Sequence, residues 1–508
     1  MAKILGISCS LRNARFNASS ENLINEIGSI ESVEALQSYL KEQTKIQVKN
    51  FIAAGREDGL PFDDIYRNLQ KAKSDQGLSN SEAALAAGLW GAHQSGAEIA
   101  HVGLTSFFPF NGPAVGLEKL RKMVLESDGL LVSGPVYFGD RGSLAQSFFD
   151  FMRDDPEVQE KIQGKVYGGI SVGAKRNGGQ ETTLIYQLVD AVNLNMLAVG
   201  NDSETTSQYG GTVIAGDVGT MAEDDYGLKT SIGTGRRIAD VTKIISRSKD
   251  NKLTDKTRIS VWLLQDQDQK GRDYVDKLSQ EVEANNPNVV INVMDFTKED
   301  IFRCIACDVC PVKPGTPDEY RCIIKSRTDL FVRKHAELIE CDAIIIAAYS
   351  PSDRVGLQSV YQQFIERTRY LRRDDYLIGD RLVAPLVISE LNARQNLHIR
   401  ILTSFIRHNS VMHHPLIGME IEDRIINWDT LVEHASSFAA MAEKITVGRL
   451  SSNADEYSDT HYNPVGYHIS AGKRLADDKC GKIKESDDAR RGSVRAEKEQ
   501  RIARDSQT

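Results

Sequence analysis

The sequence of 508 residues predicts an α/β protein with two doubly wound parallel sheets in tandem, a helical insertion in the first and a flexible C-terminal tail. Three observations support this fold class. The length exceeds what one hydrophobic core usually organises. Short apolar runs alternate with helical patterns, as in parallel sheets covered by helices. The alternation begins again after a polar stretch at residues 246–257, so each half is expected to form its own sheet.

The first half contains five apolar runs that we interpret as strands, at residues 3–8, 99–104, 129–133, 166–172 and 196–199. Helices are expected to begin near Ser20, Gly116, Ser143 and Gln180. A long segment at about residues 30–91 separates the first helix from the second strand. Its helical stretches, at 33–39 and 81–89, predict an insertion that forms a cap or an oligomer contact. The first domain is therefore expected to cover residues 1–245.

The second half repeats this alternation, with strands expected at residues 259–264, 289–295, 343–348, 382–388 and 412–418. A short internal repeat supports duplication: Ser127-Asp128-Gly129 leads into Gly142, and Cys341-Asp342-Ala343 leads into Gly356 at the same spacing. The second domain is expected to cover residues 257–448. Residues 451–508 are polar and carry both signs of charge, which predicts a flexible tail or an arm that orders on a partner.

Composition excludes several classes of function. Hydrophobic residues make up 41% and charged residues 26% of the chain, and no apolar run approaches the length of a bilayer span. The sequence begins with a strand-like run and no signal peptide, so a soluble, cytoplasmic protein is expected. A net charge of -9 gives no electrostatic footprint for nucleic acid. We therefore expect neither a membrane nor a nucleic-acid partner.

The loop after the first strand is rich in hydroxyl groups and suits an anion. It contains Ser10 and Arg12 and continues through Ser19 and Ser20 into a helix. Free backbone N–H groups and the helix dipole favour a phosphate at such a helix N-terminus. The serines can donate hydrogen bonds and Arg12 can add a charged contact. Simple capping of the helix is the alternative interpretation of Ser19 and Ser20.

Two further loops follow the third and fourth strands, at the sheet edge where doubly wound folds bind ligands. The first, residues 135–142, carries Pro135-Val136-Tyr137-Phe138-Gly139, and its aromatic side chains can lie against a flat ring. The second, residues 173–181, contains Gly173, Gly178 and Gly179, whose backbone can approach a ring edge closely. Ordinary glycine-rich turns are the alternative interpretation of both loops.

The segments Ser10-x-Arg12, Pro135-x-Tyr137 and Gly178-Gly179 resemble the NADPH-dependent FMN reductase family of the flavodoxin-like superfamily, over about residues 1–245. The long insertion and the extra residues between Arg12 and Ser19 depart from that family. The resemblance implies an NAD(P)H-dependent oxidoreductase with one FMN. It implies FMN-binding residues as follows: Ser10, Arg12, Ser19, Ser20, Pro135, Val136, Tyr137, Phe138, Gly139, Gly173, Lys175, Asn177, Gly178 and Gly179. No catalytic acid or base is assigned, and Tyr137, Arg141 and Lys175 are expected near the ring.

The second half carries a cluster of cysteines, Cys304, Cys307, Cys310 and Cys322, among the seven of the chain. Consecutive two-residue spacings let three thiolates converge on one centre, and the fourth cysteine could complete a 4Fe–4S cluster. The motif resembles that of iron-sulfur flavoproteins, although the gap before Cys322 is longer. Zinc bound by the same thiolates and free thiols remain alternatives. Asp266 and Asp268 follow the first strand of this half and would repel a phosphate, so one FMN per chain is expected.

Three functions from different classes fit these features, and the third is a non-catalytic scaffold whose flavin loops are vestigial. In the first, an enzyme passes electrons from NAD(P)H through FMN to a small-molecule acceptor or an iron-sulfur centre. In the second, an electron-transfer module serves a redox protein partner and binds no nicotinamide. A homo-oligomer is expected in each case. The basic stretch from Arg367 to Arg373 is interpreted as a solvated helix end.

Overall fold

The computed structural model describes residues 2–12, 15, 18–55, 58–71, 76–202, 208–216, 219–249, 251, 255–266, 269–307, 322–351, 358–373, 376–391, 393 and 396–451. The chain divides into two compact units, Met1–Lys243 and Ile244–Thr508. The expected tail, apart from Ser451, lies outside the described residues.

The first unit is a parallel sheet covered by helices on both faces. Its strands are β1 (Lys3–Ser8), β2 (Glu98–Gly103), β3 (Gly129–Tyr137), β4 (Asp140–Arg141), β5 (Val166–Gly173), β6 (Leu197–Ala198) and β7 (Gly211–Ile214). Its helices are α1 (Ala18–Gly28), α2 (Val33–Ala53), α3 (Phe62–Lys71), α4 (Asn80–Gln94), α5 (Leu117–Glu126), α6 (Ser143–Asp154), α7 (Pro156–Lys161), α8 (Gln180–Asn193) and α9 (Asp225–Arg247). The strands pair in the order β2-β1-β3-β5, and β6 and β7 both pair with β5. The short β4 pairs antiparallel with β3.

Helix α4 belongs to the core of the first unit, whereas the sequence placed it in an insertion expected to form a cap or an oligomer contact. Its residues 81–92 are all buried, and it packs against β1, β3 and β5. Small residues make this possible, because a Cβ at Gly91 would lie 2.3 Å from the carbonyl oxygen of Ile232 in α9. Helices α1 and α4 both lie in the connection from β1 to β2. Helices α2 and α3 are thus the part of the expected insertion that is added between them.

The second unit has the same topology. Its strands are β8 (Thr257–Asp266), β9 (Val289–Asp295), β10 (Ala343–Ser350), β11 (Leu382–Glu390), β12 (Val411–Met412), β13 (Leu416–Ile421) and β14 (Arg424–Ile425). Its helices are α10 (Lys270–Asn285), α11 (Leu330–Arg333), α12 (His335–Ile339), α13 (Ser359–Arg367), α14 (Arg369–Arg373), α15 (Leu397–Phe405) and α16 (Trp428–Leu450). The parallel order is β9-β8-β10-β11, and β12 and β13 both pair with β11. The predicted fold class, two doubly wound sheets in tandem, is confirmed.

Two details of the hydrogen bonding repeat between the units. The Asp128 carboxylate accepts the Lys3 N–H at 3.0 Å in the first, and the Asp342 carboxylate accepts the Arg258 N–H at 2.9 Å in the second. In both units the fifth strand is split into two pieces. The first piece pairs with the first two residues of the fourth strand, and the second piece pairs from the fifth residue onward. These shared details support duplication of one ancestral unit.

None of the helices in the described ranges combines the length and apolar character that crossing a bilayer requires.

Candidate functional site

The loops that follow β1, β3 and β5 meet at one edge of the first sheet. Ser8 lies opposite Ser133, and Ser133 lies opposite Ile170, so the carboxyl ends of these strands are level. The Cys9 N–H continues the ladder by donating to the Ser133 carbonyl at 2.8 Å. In this fold, the carboxyl edge is where a ligand contacts loops from several strands.

In the loop after β1, a serine hydroxyl binds the backbone of the same loop. Ser10 is buried, and its hydroxyl accepts a hydrogen bond from the Arg12 N–H at 3.1 Å. The Arg12 side chain is exposed, and its carbonyl accepts from the Gln47 amide of α2 at 3.2 Å. The insertion therefore touches the loop predicted to bind phosphate, and Arg12 lies at the surface of the unit.

Ser19 and Ser20 lie in the first turn of α1, and both are buried. The Ser20 hydroxyl lies 3.1 Å from Nδ1 of His101, a residue of β2. Burial, aided by the positive charge of Arg15, lowers the pKa of His101 to about 4, so the imidazole is neutral near pH 7. The Ser20 side chain thus holds α1 against the sheet. For an anion, the donors at this helix end are the backbone N–H groups of the first turn.

Arg15 is a buried residue of this region that sequence reasoning missed. Its guanidinium bonds Glu26 of α1 at 2.9 Å, Gln43 of α2 at 2.9 Å and the Gly77 carbonyl at 3.3 Å. Its own N–H donates to Glu82 of α4 at 3.3 Å. Arg15 connects the predicted phosphate loop with three helices. The only sequence signal was an arginine next to an apolar residue, which does not distinguish a buried hub from a surface charge.

The loops after β3 and β5 pack directly against each other. Gly179 has φ 97°, a left-handed conformation, and a Cβ there would lie 2.7 Å from the Gly139 Cα and 3.2 Å from Val136 Cγ1. Gly179 also precedes α8 and provides no side-chain cap for it. The N-terminus of a 14-residue helix therefore points its backbone donors at the place where the two loops meet.

Two aromatic side chains of the β3 loop face solvent beside this contact. Tyr137 is about half exposed at 49%, and Phe138 is fully exposed. Phe138 also adopts φ 52°, which is unfavourable for a bulky residue. Backbone strain of this kind concentrates at functional sites. The loop can therefore present aromatic surface to a flat ligand.

The expected ring-proximal cations differ in their surroundings. Lys175 and Asn177 are exposed in the β5 loop. The Arg141 side chain is instead only 8% exposed, ion-paired with Asp190 of α8 and stacked over Phe149 at 4.8 Å. The neighbouring Arg176 donates to the Thr212 carbonyl at 2.8 Å and to Asp224 at 2.5 Å. Arg141 thus supports the β3 loop from inside, and Lys175 is the cation at its surface.

With this geometry established, sequence comparisons identify the first unit. Residues 74–209 match the family model described as NADPH-dependent FMN reductase. An iron-sulfur flavoprotein of Methanocaldococcus jannaschii is 35% identical over 132 residues, which cover 26% of this chain and 67% of that protein. The chain belongs to the NADPH-dependent FMN reductase family. It is an oxidoreductase, as the resemblance of its sequence implied.

Other relatives match over similar lengths. An NAD(P)H dehydrogenase (quinone) of Caulobacter vibrioides is 32% identical over 124 residues, covering 22% of this chain and 62% of that protein. A solved flavone reductase aligns with 48% of this chain and 64% of its own, with a TM-score of 0.27 and 16% identity. The family match contains the β3 and β5 loops, but it starts after the Ser10 loop. The assignment of the phosphate loop therefore rests on residues outside the matched segment.

Side chains in the described part of the second unit occupy part of the corresponding edge. The Asp266 carboxylate accepts hydrogen bonds from the Gly271 N–H at 2.9 Å and the Arg272 N–H at 3.0 Å. It thereby occupies the N-terminus of α10, where a phosphate would bind. Tyr349, at the end of β10, is buried and donates to the buried Glu420 at 2.7 Å. Asp268, the second acidic residue predicted to repel phosphate, lies outside the described residues.

Three of the four clustered cysteines lie in the described part of the chain. Cys304 and Cys307 are half-buried, Cys322 is buried, and all three are free thiols. Cys310 lies outside the described residues. Within the described ranges, no three Cys, His, Asp or Glu side chains come together as ligands for a metal ion. The chemistry of the donor set, thiolates alone, suits zinc or an iron-sulfur cluster.

Proposed function

We propose that the first unit binds FMN at its carboxyl edge and transfers electrons from NAD(P)H to a small acceptor, such as a quinone. The observation that carries this proposal is the contact of Gly179 with Gly139, which joins the two loops next to the exposed aromatic residues Tyr137 and Phe138. FMN held there would supply hydride acceptance and the release of electrons one or two at a time. The task of the protein is to hold the ring, admit donor and acceptor in turn, and adjust the ring by charge and hydrogen bonds.

Each part of the edge has a proposed role. Ser10, Arg12, Ser19, Ser20 and the first turn of α1 would hold the phosphate. Residues 135–139 would cover the ring, with Pro135, Val136, Tyr137 and Phe138 providing apolar surface. Gly173, Asn177, Gly178 and Gly179 would bring backbone donors to the pyrimidine side, with Lys175 as a surface cation. The N-terminus of α8 favours negative charge at that side of the ring.

The second unit is proposed to bind no flavin of its own and to provide a redox centre through its cysteines. The supporting observations are the Asp266 carboxylate at α10 and the name of the iron-sulfur flavoprotein relative. A 4Fe–4S cluster, zinc and free thiols are distinguished by metal content. Iron and zinc analysis of anaerobically prepared protein, with an absorption spectrum, decides among the three.

The test of the flavin proposal is release of the cofactor by heat, followed by chromatography and anaerobic reduction. FMN at one per chain, bleached rapidly by NADPH or NADH, is the expected result. FAD as the sole flavin, or a colourless protein that FMN does not reconstitute, would contradict the proposal. Bleaching by dithionite or reduced ferredoxin alone would instead support the electron-transfer module that serves a protein partner.

A further inference from the structure

A fully buried ion pair lies in the second unit, where the sequence predicted a solvated helix end. Arg367, the last residue of α13, has a side chain 1% exposed, and Asp329 is 0% exposed. The guanidinium binds both carboxylate oxygens, with Nη2 to Oδ2 at 2.8 Å and Nη1 to Oδ1 at 3.0 Å. The geometry is the bidentate fork that arginine forms with a carboxylate.

Both partners also bind the backbone two residues before Cys304. Arg367 Nη1 donates to the Phe302 carbonyl at 3.0 Å, and Asp329 Oδ1 accepts from the Phe302 N–H at 2.9 Å. A backbone bond from the Leu330 N–H to the Asp300 carbonyl, at 2.8 Å, lies alongside. The segment that leads into Cys304 is therefore fixed to the segment that follows Cys322.

Stability alone does not account for this arrangement. Removing two charges from water is costly, and apolar residues of similar volume often replace a buried ion pair without loss of stability. An apolar pair would not bind both backbone groups of Phe302. The distinctive contribution of the ion pair is thus directional: it fixes where residues 300–303 lie relative to residues 326–330.

We propose that Arg367 and Asp329 are positioning residues that set the relative placement of Cys304 and Cys322. This inference rests on the proposed redox role of the cysteines, and it holds whether they bind an iron-sulfur cluster or zinc. The ion pair connects the residues just before Cys304 with the residues that follow Cys322. Without it, each end would have to be ordered by the bound metal, which would weaken metal binding.

The test compares wild type with the double variant Arg367→Met/Asp329→Leu, because a single variant would leave one buried charge unpaired. Arg449→Met is the control, since Arg449 pairs with Asp342 at 2.8 Å in the same unit and Asp342 keeps a second arginine, Arg258, at 3.7 Å. Hydrogen exchange by mass spectrometry follows residues 299–303 in the full chain. We expect exchange there to be at least about tenfold faster in the double variant, with β8 and β10 unchanged.

The second measurement is Co²⁺ titration of reduced, metal-free protein under anaerobic conditions, read from the thiolate-to-metal absorption. We expect the double variant to bind Co²⁺ about 10- to 100-fold more weakly, and the control to match wild type. Unchanged exchange at residues 299–303 would overturn the inference, as would unchanged Co²⁺ affinity. Wild type without a thiolate band would contradict the proposed metal centre instead, and the exchange measurement would still decide the role of the pair.

Discussion

The carboxyl edges of the two units have the same topology, but the described side chains at these edges differ. In the first, Tyr137 and Phe138 face solvent and Gly179 leaves the end of α8 without a side-chain cap. In the second, Tyr349 is buried against Glu420, and Asp266 caps α10. The difference teaches that side chains at a few strand ends, and not the fold, decide whether such an edge is open to a ligand.

The largest expected effect comes from adding one methyl group to the open edge. Gly179→Ala places a Cβ 2.7 Å from the Gly139 Cα and imposes φ 97° on alanine, so the two loops must separate. We expect FMN binding to weaken by about 2 to 5 kcal/mol, measured by fluorescence titration. Gly112→Ala is the control, because Gly112 has φ 101° with open space around it. If both variants lost the same amount of FMN affinity, the contact between the two loops would not be part of the flavin site.

The next prediction concerns Arg12, an exposed cation in the loop after β1. Arg12→Ala should weaken FMN retention by about 1.5 to 3 kcal/mol by removing a charge-assisted contact with the phosphate. Riboflavin, which lacks the phosphate, should bind wild type and variant alike. The pair of titrations distinguishes a phosphate ligand from a residue that only shapes the loop, since the latter would affect both flavins.

The histidine that anchors α1 to the sheet predicts how the stability of the first unit depends on pH. His101, which holds α1 through Ser20, has a pKa lowered from 6.5 to about 4, so the folded state binds fewer protons in that interval. Stability of the first unit therefore falls as the pH decreases from 6.5 toward 4. His101→Asn should reduce this loss by about 2 kcal/mol between pH 8 and pH 5. Hydrogen exchange of β2 measures it, and an identical pH dependence in both proteins would contradict the prediction.

The smallest expected effect tests whether one carboxylate alone closes the second edge. Asp266→Ala removes the cap of α10 and should destabilise the second unit by about 1 kcal/mol, measured by urea unfolding. Flavin content should stay at one per chain, because the hydrogen-bonded pair Tyr349–Glu420 still occupies part of the edge. Asp155→Ala is a matched cap deletion in the first unit, where Asp155 accepts from the Val158 N–H at 3.1 Å. A second FMN in Asp266→Ala would mean that this side chain was the whole difference.

Much of the fold was predictable because local patterns determine it. The runs at residues 3–8 and 289–295 coincide with β1 and β9, and the repeat containing Asp128 and Asp342 marks equivalent hydrogen bonds. The separate strand β7 was missed, since four residues with two-sided burial carry no clear alternation. The core position of α4 was missed because an Ala- and Gly-rich helix is weakly amphipathic and reveals no preferred face.

The site was predictable to the level of loops, and less so to the level of side chains. The β3 and β5 loops were placed correctly at one edge because strand order fixes where they emerge. Burial of Arg141 and Arg367 was not predictable, since each depends on a carboxylate far along the chain, Asp190 and Asp329 respectively. Long-range ion pairs leave no periodic signal in the sequence. Whether the named residues bind FMN remains a prediction.

The buried guanidinium of Arg15 has a consequence for how the first unit assembles. It bonds α1 and α2, and the backbone of the same residue bonds α4, so these helices and the loop before them gain their contacts together. Such shared bonds make a region unfold as one cooperative block. Helices α2 and α3 are therefore not a removable module: excising them would leave a buried cation short of acceptors and loosen the loop beside β1. The inserted helices and Arg15 depend on each other, so a substitution in one restricts which substitutions the other tolerates.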